Sequence, residues 1–330
     1  MSFLNIFKKE ESVLDTAKYI SNERISQILL EILESAFDKK DFKELPFPVK
    51  YSQYDLEYVS RSLSYLDDER AWKCRNFLLE KQHIGDKNIV MKNTILESLA
   101  GVDSNESWKM RNILSDELVN KHGVSTTSAH IPFFDGLMGV NSQNAWLYRN
   151  KAIDDELYLV LNSLTGLNNP ESNKIRSEYS SKNPTVLSVS GLDSEIAWSI
   201  RNNNIQENPQ AVLHSLSGLN SKKSWDMRTK LSHRRILDPL DLVKSVIGLD
   251  DEKSWRLRHE FWSAFESGKL DQTKDGTLYG MSISIAGLDS ANAWKMRQRI
   301  VEEGGLRYLP LSINGDCLAS TVWRLKQKAY

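Results

Sequence analysis

Cysteine is scarce in this 330-residue chain: Cys74 and Cys317 are the only two. Two thiols exclude a disulfide scaffold and a four-cysteine zinc site, and they suit a reducing compartment. Net charge is lacking as well. The 43 basic and 44 acidic side chains leave a formal charge of −1, so no whole-protein field draws the chain to nucleic acid or a membrane, and any such binding has to be local. No run of about 18 apolar residues occurs. Met1-Ser2-Phe3-Leu4-Asn5-Ile6-Phe7-Lys8-Lys9 places its basic residues after a short apolar patch, the reverse of a secretory signal. A cytoplasmic protein without a transmembrane segment is expected.

Catalytic signatures are also missing. There is no Walker A loop, no GxGxxG, no GxSxG and no HExxH, and the six histidines are scattered without a cysteine at zinc-ligand spacing. Asp67-Asp68-Glu69 and Asp250-Asp251-Glu252 stand where repeat helices begin, and carboxylates there favour the positive helix end. No catalytic residue, metal ligand or cofactor is therefore assigned.

What the chain does contain is a repeat. Gly191-Leu192-Asp193-Ser194-Glu195-Ile196-Ala197-Trp198-Ser199-Ile200-Arg201 returns, aligned on its glycine, at Tyr65 (in place of glycine), Gly101, Gly139, Gly166, Gly218, Gly248 and Gly287, and a degenerate ninth copy covers Asn314-Gly315-Asp316 with Trp323 and Lys326. Spacing runs from 25 residues (Gly166 to Gly191) to 39 (Gly248 to Gly287), the range of stacked repeat arrays.

Each copy reads as helix, tight turn, helix. Serine stands three residues before the glycine in seven of eight units, Gly136 being the exception, and an aliphatic residue stands two before it in all eight. A small residue lets another helix approach closely. Glycine suits the left-handed position that ends a helix. Asp or Asn, followed mostly by Ser, then supplies the side-chain oxygen that starts the second helix. In that helix a small residue (Ala197), Ile200 and the position of Asn204 form a stripe toward the partner helix, and the Trp and Arg lie together on one flank. Upstream, Ile25, Ile28, Leu29, Ile32, Leu33, Ala36 and Phe37 predict a long amphipathic helix N-capped by Ser21 or Asn22, and Leu45-Pro46-Phe47-Pro48 ends any helix before the array.

These helix–Gly-Leu-Asp-Ser–helix units resemble short HEAT-like repeats, notably the compact type of phycobilisome lyases and bacterial scaffold proteins. The likeness covers about residues 57 to 330, and the Trp-x-x-Arg signature departs from it. It implies an α-solenoid and a protein-binding role, with nucleic acid as the partner of some members; it does not carry over lyase chemistry.

The expected fold is thus all-α: an N-terminal helical cap (1–56) and a superhelical solenoid of eight to nine helix pairs (57–330). Trp72, Trp108, Trp146, Trp198, Trp225, Trp255 and Trp294, with Arg75, Arg111, Arg149, Arg176, Arg201, Arg228, Arg258 and Arg297, form a ladder. Arginines at repeat spacing could follow a phosphate backbone. Their one-to-one match with Asp67, Asp103, Asn141, Asn168, Asp193, Asn220, Asp250 and Asp289 favours a structural joint instead, each guanidinium bonded to an Asp or Asn and lying on a Trp. Asn173 stands in for Trp in the fourth unit.

Specificity is sought where the repeat rule fails. The 121–130 insertion leads into Phe133 and Phe134, and a second insertion follows Phe261, Trp262 and Phe265. Phe133, Phe134, Trp262 and Phe265 are candidate partner-binding residues, as are Lys222, Lys223, Arg234 and Arg235 of the most basic neighbourhood. The expected function is a non-enzymatic scaffold or adaptor for another protein. A nucleic-acid-binding solenoid using the arginine flank and an enzyme with a dispersed site are the alternatives.

Overall fold

The computed structural model describes residues 18–38, 45–47, 49, 56–81, 87–233, 237–270 and 272–328. Arg234, Arg235 and the apolar patch at Phe3 to Phe7 lie outside the described residues, which contain helices and no strand. After α1 (Asn22–Asp38) the helices come in pairs: α2 (Leu56–Arg61) and α3 (Glu69–Lys81), α4 (Lys87–Glu97) and α5 (Asn105–Asn120), α6 (Thr126–Asp135) and α7 (Gln143–Ala152), α8 (Leu157–Ser163) and α9 (Pro170–Glu178). The series continues with α10 (Asn183–Ser188) and α11 (Glu195–Asn204), α12 (Pro209–Ser215) and α13 (Lys222–Ser232), α14 (Pro239–Lys244) and α15 (Glu252–Glu266), and α16 (Lys274–Ser284) and α17 (Ala291–Glu302). α18 (Leu309–Asn314) and α19 (Cys317–Lys328) end it.

Local chemistry builds the pairs as expected. Ser104, Ser142, Ser194, Ser221 and Ser290 each accept the backbone N–H three residues on, capping the second helices. The Ser21 Oγ does the same for Arg24 at the start of α1. The small residues before the turn let the first helices stack: α2 on α4, α4 on α6, and so on to α16 on α18. Their aliphatic residues, Leu63, Leu99, Leu137, Leu164, Val189, Leu216, Val246 and Ile285, are completely buried.

The array does not end in open superhelical edges. α18 packs on α2, so the row of first helices closes into a ring of nine. Along the turns, Tyr65 N–H donates to the Ala100 carbonyl (2.7 Å), Gly101 to Met138 (2.8 Å), Gly139 to Thr165 (2.9 Å) and Gly218 to Ile247 (2.9 Å). At the seam the Asn314 side chain takes over, its amide donating to the carbonyls of Ser62 (2.7 Å) and Ser64 (2.9 Å). The Gly315 N–H is turned back to the Leu311 carbonyl, and a side-chain amide at the end of α18 thereby stands in for the backbone donor of the ninth unit.

Closure changes the role of both chain ends. α1 is not a lid on a free end; it packs on α3, α2 and α18 and supplies the ninth outer helix. A short antiparallel bridge, Ile20 N–H to the Gly287 carbonyl (2.8 Å) and Asp289 N–H to the Lys18 carbonyl (2.7 Å), ties it down. Arg24 pairs with Asp289 at 3.0 Å and covers the Trp294 ring. With that place taken, α19 runs instead across the ring axis. A Cβ on Gly166 would meet Thr321, on Gly218 Val322 and on Gly287 Trp323, so turns from distant units converge on this one helix.

Tyr65 explains two glycines. It is the only non-glycine residue with positive φ (64°) among the described residues, and its ring fills the space that a Cβ on Gly101 or Gly139 would need. Its hydroxyl meets the Thr321 hydroxyl at 3.0 Å and Arg324 lies over the ring.

Candidate functional site

The repeated residues are accounted for inside the joints. All eight ladder arginines are fully buried. Arg201 shows the pattern: Nη1 donates to the Leu192 carbonyl (2.9 Å), Nη2 to those of Val189 (2.7 Å) and Ser215 (2.8 Å), and Nε to the Ser215 hydroxyl (3.0 Å). Val189 and Leu192 flank the turn of its own first helix, and Ser215 ends the next one. Each guanidinium thus joins two helix C-termini, whose free carbonyls carry partial negative charge.

The expected bond from Arg to Asp or Asn is not what forms. Those side chains accept the indole N–H of the tryptophan five residues on, at 2.5–2.9 Å in all seven Trp units. The guanidinium lies 4.4–5.0 Å from the same ring. The reason is reach: carbonyls nine and twelve residues back present a fixed fork of acceptors inside the joint, whereas the Asp or Asn sits at its edge beside the indole. Burial pulls these guanidiniums below the ordinary arginine range, to about 9 in Arg201 and about 10 in Arg75, values at which they still carry charge at neutral pH.

Two departures follow the same logic. Gly136 replaces the ladder serine, and the Arg111 Nε is left without an acceptor; a Cβ at Gly136 would come within 2.2 Å of the Leu96 carbonyl oxygen. Asn173, in place of Trp, keeps both polar contacts: its amide donates to Asn168 (3.3 Å) and its oxygen accepts from Arg176 (3.1 Å).

One register position escapes the repeat rule altogether. Four residues before the turn glycine stand Arg61, Glu97, Asp135, Asn162, Leu187, His214, Lys244, Ile283 and Leu311, and the first seven are half-buried. Ring closure gathers Arg61, Glu97, Asp135, His214, Lys244 and Ile283 near the start of α19. His214, Lys244 and Ile283 line a cavity of about 180 Å³ with Tyr279 and Asp316. On the other side Arg61 sits 3.5 Å from Glu97, and Asp316 acts on Glu97 and Asp135 alike. Burial, then the Glu97 and Asp316 carboxylates, push Asp135 up to about 7. Burial and the same three carboxylates push the Cys317 thiol well above its ordinary range. Cys74 is raised to about 12 by burial, so neither sulfur is a thiolate near neutral pH.

The axial cluster was missed in the sequence because its members come from seven different units and share no motif; the one available signal was a variable, mostly polar position on an otherwise repeated helix. Among the described residues there is no group of three or more His, Cys, Asp or Glu placed to hold a metal ion, and no helix is long and apolar enough to cross a membrane.

The sequence candidates outside the ladder are scattered. Trp262 is fully buried, with its indole N–H on Glu266 (2.8 Å), and Phe265 packs edge-on against it. Trp262 is therefore part of the core and not an exposed anchor. Lys222 pairs with Asp226 (3.0 Å), and Lys223 covers the Trp198 ring of the preceding unit (4.3 Å). Phe133 and Phe134 are nearly buried, yet both line a cavity of about 450 Å³ between α5, α6 and α7. Comparison with protein-family models, curated proteins and solved structures finds no match to the chain.

Proposed function

We propose that the chain is a non-enzymatic scaffold or adaptor, a solenoid-like array of HEAT-like helix pairs closed on itself, that holds another protein in the cytoplasm. One observation carries the reading: the repeated residues are used inside the joints, whereas the variable position four before the glycine keeps part of its surface in solvent in seven of the nine units. A frame that is constant where units meet and individual where they face outward suits recognition of a partner. The cytoplasmic placement rests on the two free thiols.

The nucleic-acid alternative has to do without its arginine flank, since the eight guanidiniums have no exposed surface and cannot meet phosphate. Affinity capture from the native host, with Lys244→Glu as the axial variant, tests the proposal. A specific protein recovered by the parent chain and reduced by the variant supports it. Recovery of nucleic acid alone, with affinity falling steeply as salt rises, refutes it, as does turnover of a substrate with no protein recovered.

A further inference from the structure

The 121–130 insertion follows α5 as its C-cap, the turn and the start of α6, and the cavity beside it has a filled counterpart in the same chain. α5 and α15, of 16 and 15 residues, are the two longest helices that follow a turn. In α15 the residue four after ladder Arg258 is Trp262, completely buried. Arg299, two residues after ladder Arg297 in α17, lies over that indole at 5.0 Å and pairs with Glu266. In α5 the residue four after Arg111 is Ser115, and two residues after Arg149 in α7 stands Lys151. Ser115 and Lys151 both line the 450 Å³ cavity. The cation is in place and the ring beneath it is absent.

The remaining walls suit an indole. Phe133, Phe134 and Tyr148 supply aromatic surface, and Asp116, Asp155 and Glu156 supply carboxylates at the rim. Glu156 is engaged with His130 at 2.7 Å, which leaves Asp116 and Asp155 as acceptors for an indole N–H, as Glu266 is for Trp262. The volume is that of a small-ligand site, larger than one buried side chain needs, and Asp116, Lys151 and Asp155 in its lining are exposed.

We propose that this cavity takes a tryptophan side chain from a protein partner, seated against Phe133 and Tyr148 beneath Lys151. The occupant rests on the chain's being a protein-binding module. Tryptophan is the residue most enriched among anchors of protein interfaces, because it combines a large apolar face with one donor.

N-acetyl-tryptophanamide, titrated into the full chain and followed by amide NMR, is the probe. The expected result is a saturable shift confined to His130, Tyr148, Lys151 and their neighbours, weaker with N-acetyl-phenylalaninamide, which lacks the donor. Ser115→Trp fills the cavity from within and abolishes the shift while raising the melting temperature. Lys151→Glu, an exposed change that leaves the core alone, reduces the affinity several-fold. No saturable shift in the parent chain, or a shift unaltered by both substitutions, overturns the proposal. Capture of a protein equally by the parent chain and by Ser115→Trp overturns this site and leaves the protein-binding reading standing. Amide binding at the cavity with no protein captured overturns that reading instead.

Discussion

Arg201→Ala is the sharpest test of the joint. The substitution removes four hydrogen bonds, takes the guanidinium donors from the carbonyls of Leu192 and Ser215, and leaves Val189 with the Leu192 N–H alone, where the guanidinium has no exposed surface. Leaving a buried carbonyl unpaired costs about 1–3 kcal/mol, so Leu192 and Ser215 set a range of roughly 2–6 kcal/mol, to which the charged bond lost at Val189 adds about 1.5–3 kcal/mol. Water entering the vacated space satisfies part of that demand, which brings the expected loss to about 4 kcal/mol. With an unfolding entropy of about 2.1 cal/mol/K per residue, a chain of this length should melt roughly 6 °C lower. Arg201→Lys should restore less than half, because an ammonium cannot reach two helix ends at once as a planar fork does. Arg256→Ala, part-exposed on α15 and paired with Glu252, is the control and should change stability by less than about 0.5 kcal/mol. Urea unfolding followed by circular dichroism reads all three. A loss below about 1 kcal/mol for Arg201→Ala would refute the argument that these buried charges hold adjacent units together.

Other expectations follow from particular contacts. Gly101→Ala puts a Cβ into the Tyr65 ring at 2.1 Å, whereas Gly123→Ala has the same backbone sign and open space; the first should cost several kcal/mol and the second about 1 kcal/mol, read by thermal melts. Gly136→Ser offers Arg111 its missing acceptor but drives a Cβ against the Leu96 carbonyl, so a net destabilisation is expected, and a gain would show that the backbone yields there. Asp135 is raised to about 7 in the fold, above its unfolded value, so the folded state binds the extra proton and stability falls as pH rises from about 4 through 7. Asp135→Asn should therefore be more stable than the parent at pH 8 and indistinguishable from it near pH 4; equal stabilities at both would refute the crowded-carboxylate account. Asn314→Ala removes the seam bonds to Ser62 and Ser64, and hydrogen exchange should then rise in α1, α2 and α18 before the other helices. Uniform exchange would mean that the ring is held elsewhere.

Much of this architecture was legible in the linear chain, because the forces that make one unit are local. The Ser and Asx caps, the glycine turns, the stripe of aliphatic residues and the adjacency of Trp and Arg all lie within about a dozen residues, and helical periodicity places them. The direction of the arginine was readable and its partners were not: a helical wheel gives a bearing but no reach, and the carbonyls that the guanidinium finds belong to a turn nine to twelve residues back and to the next unit. The tertiary structure alone decided that the array closes. Closure depends on the small rotation between units summed around the whole ring, a quantity no single unit encodes, and it is sealed by pairs such as Asn314 with Ser62 that lie 252 residues apart. The same summation makes α1 an outer helix, sends α19 through the axis, and brings Arg61, Glu97, Asp135, His214 and Lys244 around Asp316.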